Sequence, residues 1–146
     1  MNPLALYCKS YSTDLRRVVR LMQSIERFNE TRIPVYVSVP EAELVLFREH
    51  LGTTSAQLIS DESILRASPR LNQAQVARMH GAVAQQVVKS EFWRLGLAKN
   101  YLCLDSDCVF IRPFFIADFM GSDGVPFTVL HQNKEYFVFK ELISNK

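Results

Sequence analysis

Cysteine is scarce, and what there is forms no pattern. The chain has three, Cys8, Cys103 and Cys108, an odd number with no CxxC pair. That excludes a disulfide framework. All three fall in or beside apolar runs and are expected to be buried, reduced thiols of a cytosolic protein. His80 and His131 stand in no spacing that reads as zinc ligation. Basic charge is not clustered either. The formal net charge is +2, with no polybasic block, which argues against nucleic acid and against an anionic membrane surface as partners. No apolar run is long enough to span a bilayer. Met1-Asn2-Pro3 opens without the charged region and long apolar run of a secretory signal. The expected location is the cytoplasm, including the inner face of the membrane. Internal repeats and low-complexity segments are also lacking. What remains is a chain of 146 residues with 48% hydrophobic and 22% charged residues. This is the composition of a globular protein, and the length suits one domain over 1–146.

Along the chain, apolar strands alternate with amphipathic helices. Leu4 to Cys8 reads as a first strand. Lys9-Ser10-Tyr11-Ser12-Thr13-Asp14 follows, rich in residues that cap helices. Leu15, Val18, Met22 and Ile25 recur at helical spacing, and that helix ends near Phe28-Asn29. Ile33 to Val39 is a nearly continuous β-branched run, as in a strand covered on both faces, with Pro34 at its start. Pro40 suits the first turn of a helix carrying Leu44, Phe47 and Leu51 and stopping at Gly52. Gln57 to Ser60 is a weaker strand, with Asp61 just after it. Glu62 to Gly81 reads as a long polar connection, with or without a helical turn. A strong helix then carries Val83, Val87, Val88, Phe92, Trp93 and Leu95, closing near Gly96 to Asn100. The apolar cluster Phe114, Phe115, Ile116 and Phe119 comes later, and Phe127 to Leu130 and Tyr136 to Phe139 read as further strands. This alternation predicts an α/β domain with a mostly parallel sheet flanked by helices. Ligands collect at the carboxyl ends of such strands, which is where Ser10 to Asp14, Asp61 and Asp105 to Asp107 fall.

The most telling run is Tyr101-Leu102-Cys103-Leu104-Asp105-Ser106-Asp107-Cys108-Val109-Phe110-Ile111. Apolar strand pattern flanks two carboxylates set two residues apart. Buried carboxylates are costly unless paired or metal-bound, so Asp105 and Asp107 are expected at the open end of a buried strand. In an extended backbone, residues i and i+2 point the same way. Two aligned carboxylates suit Mg²⁺ or Mn²⁺, with a substrate diphosphate completing the shell.

This block resembles the metal site of nucleotide-sugar-dependent glycosyltransferases of the Rossmann-like GT-A fold. More narrowly, the chain is similar to a bacterial family of glycosyltransferases with a DxD motif, known mostly from sequence. The pieces that carry the likeness are Cys8-Lys9-Ser10-Tyr11 with Asp14-Leu15, Val37-Ser38-Val39-Pro40, Ser60-Asp61, Gln85-Gln86-Val87-Val88-Lys89 and Leu104-Asp105-Ser106-Asp107. Each piece alone is weak; their order is the signal. The resemblance implies a nucleotide diphosphate sugar as donor, a glycan or cell-envelope molecule as acceptor, and Mn²⁺ or Mg²⁺ as cofactor. Asp107 would coordinate the metal directly. Asp105 would bind the ribose, or the metal through water, and Ser106 would join the donor contacts. Ser10 and Tyr11 would line the nucleotide pocket, Asp61 would contact base or ribose, and Lys89 would face the diphosphate or the sugar. Family members continue well past this point, with an acceptor pocket, often a third metal ligand and, in inverting enzymes, a catalytic base. Here the chain ends soon after Asp107, and His131 and Glu135 belong to no motif. The chain thus reads as the donor-binding half, to be completed by a missing C-terminal segment or a partner, and no catalytic residue is assigned.

Plainer readings stand beside these. Asp105 and Asp107 form a solvated turn, Lys89 is a surface lysine, and Gln85 and Gln86 are helix-surface residues. Ser10 and Asp14 cap the first helix. Trp93 and the cluster Phe110, Phe114, Phe115 and Phe119 are core, or that cluster is a face left uncovered. Arg66, Arg70 and Arg78 are solvated. Two other functions compete: a non-catalytic nucleotide-sugar-binding module, and a phosphohydrolase of the haloacid dehalogenase type. The latter carries its DxD on the first strand and needs later partners.

Overall fold

The first strand, β1 (Asn2–Lys9), is buried from Leu4 to Cys8. Its side chains alternate between two apolar layers, as a strand's period of two requires. Leu4, Leu6 and Cys8 face one layer; Ala5 and Tyr7 face the other. A computed structural model describes residues 1–127.

A 3-10 turn at Ser12–Asp14 leads into α1 (Leu15–Phe28), which buries Val18, Leu21, Met22 and Ile25. Asn29 ends it. Its backbone N–H donates to the Ile25 carbonyl, and its side-chain amide exchanges two hydrogen bonds with the backbone of Ile33. β2 (Val35–Val39) follows, buried throughout, then α2 (Leu44–Leu51), β3 (Gln57–Ser60), α3 (Asp61–Arg66), α4 (Gln73–Ala77), α5 (Gly81–Glu91) and β4 (Ala98–Leu104). β2 begins after Pro34, whose carbonyl accepts from Leu6 N–H. Gly96, with φ of +62°, makes the left-handed turn between the last helical residues and β4.

The four strands form one sheet in the order β3-β2-β1-β4, every neighbouring pair parallel. Leu6 sits opposite Val35 on one side and Leu102 on the other. Val35, Val37 and Val39 join α1 and α2 in one core. Tyr7, Tyr36, Ile64, Val76, Val88 and Phe92 form the second, under α3, α4 and α5. Tyr7 stacks on Phe92 with ring centroids 3.9 Å apart, and its hydroxyl lies 2.8 Å from Ser38 Oγ. The expected α/β fold, a Rossmann-like parallel sheet covered on both faces, is what forms.

Several expectations are corrected. The polar connection Glu62 to Gly81 contains two short helices, α3 and α4. Each is begun by a side chain: Ser60 Oγ accepts from Ser63 N–H, and Asn72 Oδ1 from Ala74 N–H. Val109 to Ile111 is no strand, and Ile111 is 85% exposed. Instead Phe110 lies against α1, its N–H donating to Ser24 Oγ and its ring stacked on Phe114. Phe114 is buried and Phe119 packs beside it, but Phe115 is exposed. Trp93 is exposed, not core, and lies against the Arg94 guanidinium. Only Cys8 is a buried thiol; Cys103 and Cys108 are exposed. Phe127 is in no strand. The rest of the strand expected at Phe127–Leu130, the one at Tyr136–Phe139, and His131 and Glu135 lie outside the described residues. Among the described residues, no helix is long and apolar enough to cross a membrane.

Candidate functional site

Because all four strands are parallel, their carboxyl ends share one edge of the sheet. β1 delivers Lys9, Ser10 and Tyr11 there, β3 delivers Asp61, and β4 delivers Asp105 to Asp107. In strand order the chain runs outward from β1 to β3 and then returns to β1's other side with β4. The switch point, where crevices open in such sheets, therefore lies between β1 and β4.

Lys9 is the last residue of β1 and its side chain is almost wholly buried. A charge there needs a partner. Its ammonium finds Asp61 Oδ2 at 2.9 Å and also donates to the Ser10 carbonyl at 2.6 Å. Asp61 opens α3, where the Ser60 cap fixes the backbone. Burial pushes the Asp61 carboxyl above the usual carboxylate range, and the neighbouring Lys9 opposes that shift. Asp61 Oδ1 and Ser10 Oγ are buried with no hydrogen-bond partner among the described residues. Lys9, Tyr11 and Asp61 line a cleft of about 810 Å³, walled by Leu65, Val76 and Val88. The Lys9 ammonium lies 5.8 Å from the centre of the Tyr11 ring, within reach of a cation–π contact. Ser10 and Asp14 do not cap α1. The Asp14 carboxylate pairs with Arg17 at 2.9 Å, and among the described residues no side chain caps the helix's first amides.

Sequence reasoning gave Lys9 no role. The available signal was a lysine closing an otherwise apolar, buried strand, since lysine is almost never fully buried unless paired.

The Asp-Ser-Asp segment differs from its expected geometry. The ladder between β1 and β4 ends at Cys8 and Leu104. Beyond it nothing among the described residues holds the chain extended, and it turns, with Cys108 N–H donating to the Asp105 carbonyl at 3.0 Å. Asp105 and Asp107 are both exposed, but they face different hollows. Asp105 shares one of about 390 Å³ with Lys89, Gln86, Tyr101 and Cys103. Ser106 and Asp107 share one of about 100 Å³ with Arg17 and Arg20. Lys89, on α5, has its ammonium 2.6 Å from Asp105 Oδ1. α5 joins the first two regions, with Gln85 and Val88 on the cleft and Gln86 and Lys89 on the hollow. The turn joins the second and third. Apart from Ser10, which is buried and lines none of them, the expected residues are thus gathered along one edge, in three adjoining recesses rather than one pocket.

Among the described residues, no three His, Cys, Asp or Glu side chains converge as a metal site. Mg²⁺ is ordinarily held by one or two carboxylates plus substrate phosphates rather than by an all-protein cage. Asp105 and Asp107 are exposed and each suits that mode as a single carboxylate, but they face different hollows and do not converge on one ion.

No curated protein and no solved structure matches the chain. Over residues 2–141 it matches a family described as a family of unknown function, DUF6492, and the chain belongs to that family.

Proposed function

We propose that this protein binds a nucleotide diphosphate sugar together with Mn²⁺ or Mg²⁺, as the donor-binding part of a glycosyltransferase whose acceptor is a glycan or other cell-envelope molecule. One observation carries the reading. A buried Lys9–Asp61 pair in an open cleft and an exposed Asp-Ser-Asp turn lie along the same carboxyl edge, on the two sides of the sheet's switch point. The cleft has apolar walls for the face of a base and a polar floor for its edge. Asp61 Oδ1, buried and unpartnered, accepts an N–H or O–H from base or ribose. Lys9 holds that carboxylate in place. Tyr11 lines the mouth of the cleft beside it.

The diphosphate runs from there toward Lys89 and the turn. When bound, the metal stabilises negative charge on the leaving diphosphate as a Lewis acid. Asp107, with Asp105 and Ser106, holds that end of the donor. The Lys89 ammonium, carried on α5 beside the turn, adds positive charge to that end of the donor.

The test is thermal stabilisation by UDP, GDP and CDP, each with and without Mn²⁺, in wild type, Asp107→Asn and Asp61→Asn. A ligand that binds only the folded state raises the melting temperature. The expected result is a shift with one nucleotide that depends on Mn²⁺ and disappears in Asp107→Asn. Asp61→Asn is expected to weaken binding of that nucleotide about tenfold or more, the cost of losing a charged hydrogen bond. No shift with any nucleotide, from folded protein, overturns the reading.

A further inference from the structure

Lys89 and Asp105 are unlike partners. The Lys89 side chain is 13% exposed and that of Asp105 is 70% exposed. The lysine is therefore packed in place, and the aspartate reaches to it from a turn. The Tyr101 hydroxyl donates to the Lys89 carbonyl at 3.0 Å, tying that part of α5 to β4. The ammonium already occupies one oxygen, Oδ1, of a carboxylate that the donor-site reading gives to the metal-bearing end of the donor. Asp107 also has basic neighbours, Arg17 and Arg20, around its hollow. Of the motif's two carboxylates, Asp105 is thus already paired with one of the protein's own cations.

Two cations cannot share one carboxylate oxygen without strong mutual repulsion. An arriving diphosphate changes this balance, because it brings enough negative charge to hold both. A lysine suits the exchange, being a compact charge on a flexible stem. We propose that Lys89 is a built-in competitor of the divalent cation. It holds Asp105 while the site is empty and passes to the diphosphate when nucleotide binds, so that metal and nucleotide bind with positive coupling. The inference rests on the donor-site reading given above. By linkage the coupling is reciprocal: the metal raises nucleotide affinity by the same factor.

The experiment is titration of Mn²⁺ alone, followed by the electron paramagnetic resonance of free Mn²⁺, into wild type, Lys89→Met, Lys89→Arg and Asp105→Asn. It is repeated with each of UDP, GDP and CDP, with circular dichroism confirming that every variant is folded. Lys89→Met is expected to bind Mn²⁺ alone on the order of fivefold more tightly than wild type. The enhancement by nucleotide should shrink by a similar factor. Lys89→Arg, which keeps the charge, should stay within about twofold of wild type. Adding Asp105→Asn should erase the effect of Lys89→Met, which a merely structural consequence of that change would not do. Mn²⁺ affinity that is unchanged or lower in Lys89→Met, with nucleotide-dependent Mn²⁺ binding intact, overturns the competition and leaves the donor site standing. Absence of Mn²⁺ binding in every protein, with any nucleotide, overturns both.

Discussion

Lys9 and Asp61 are the only charged side chains buried among the described residues. Truncating one partner of such a pair leaves the other charge stranded. Lys9→Met is expected to lower stability by about 3–5 kcal/mol, measured by urea unfolding. The double change Lys9→Met with Asp61→Leu should recover most of that loss, because two apolar groups need no partner. The pH dependence has a definite sign. With its folded pKa raised by burial, Asp61 costs stability above that pKa, and the cost is relieved as pH falls through it toward the ordinary carboxylate range. Removing Lys9 raises the Asp61 pKa further. The gap between wild type and Lys9→Met should therefore narrow as pH falls, and a constant gap from neutral to acid pH would contradict the pairing. Of this pair, Asp61 is legible in the sequence as an acid immediately after a strand pattern. Lys9 is not, because only the fold reveals that the last residue of β1 lies against the start of α3. The Asp-Ser-Asp pair is legible as a motif but not as geometry, since i and i+2 share a direction only while a ladder keeps them extended.

At the scale of elements, the part of the chain that sequence reading left blank builds one wall of the cleft. α3 and α4 are six and five residues long, too short for apolar periodicity to stand out. What starts them is capping by Ser60 and Asn72, a signal carried by single residues. Ser60→Ala should cost about 1 kcal/mol in thermal unfolding. It should also weaken nucleotide binding, since α3 begins at Asp61. Loss of stability with binding untouched would separate the cap from the site. The long helices and β1 are legible because their apolar spacing extends over several turns or over a continuous run. Val109 to Ile111 misleads for the complementary reason. Of the three, only Phe110 is used, against α1 and in an aromatic stack rather than a ladder, while Val109 and Ile111 are exposed. The 3-10 turn that follows α5 carries another such stack, Phe92 on Tyr7. Phe92→Ala should destabilise the protein by about 3–5 kcal/mol in urea unfolding.

For the molecule as a whole, β1 and β2 are the inner strands of the sheet, each contributing to both cores. Amide hydrogen exchange should be slowest from Ala5 to Cys8, where opening requires both layers to separate. Faster exchange there than in α4 would contradict this arrangement. The layer order itself was legible from the alternation of strands and helices, whereas the position of β4 beside β1 was not. Sequence fixes neither strand order nor the switch point that brings the Asp-Ser-Asp turn next to Lys9. The distribution of thiols across this architecture has a practical consequence. Cys8 is sealed in the core, and burial pushes its thiol up to about 12, so it is inert to alkylation. Cys103 and Cys108 are exposed, the former in the recess of Asp105 and the latter in that of Asp107. The chain thus carries two native footprinting probes, one beside each carboxylate of the motif. Iodoacetamide followed by peptide mass analysis would map an occupying molecule recess by recess, with no engineered label.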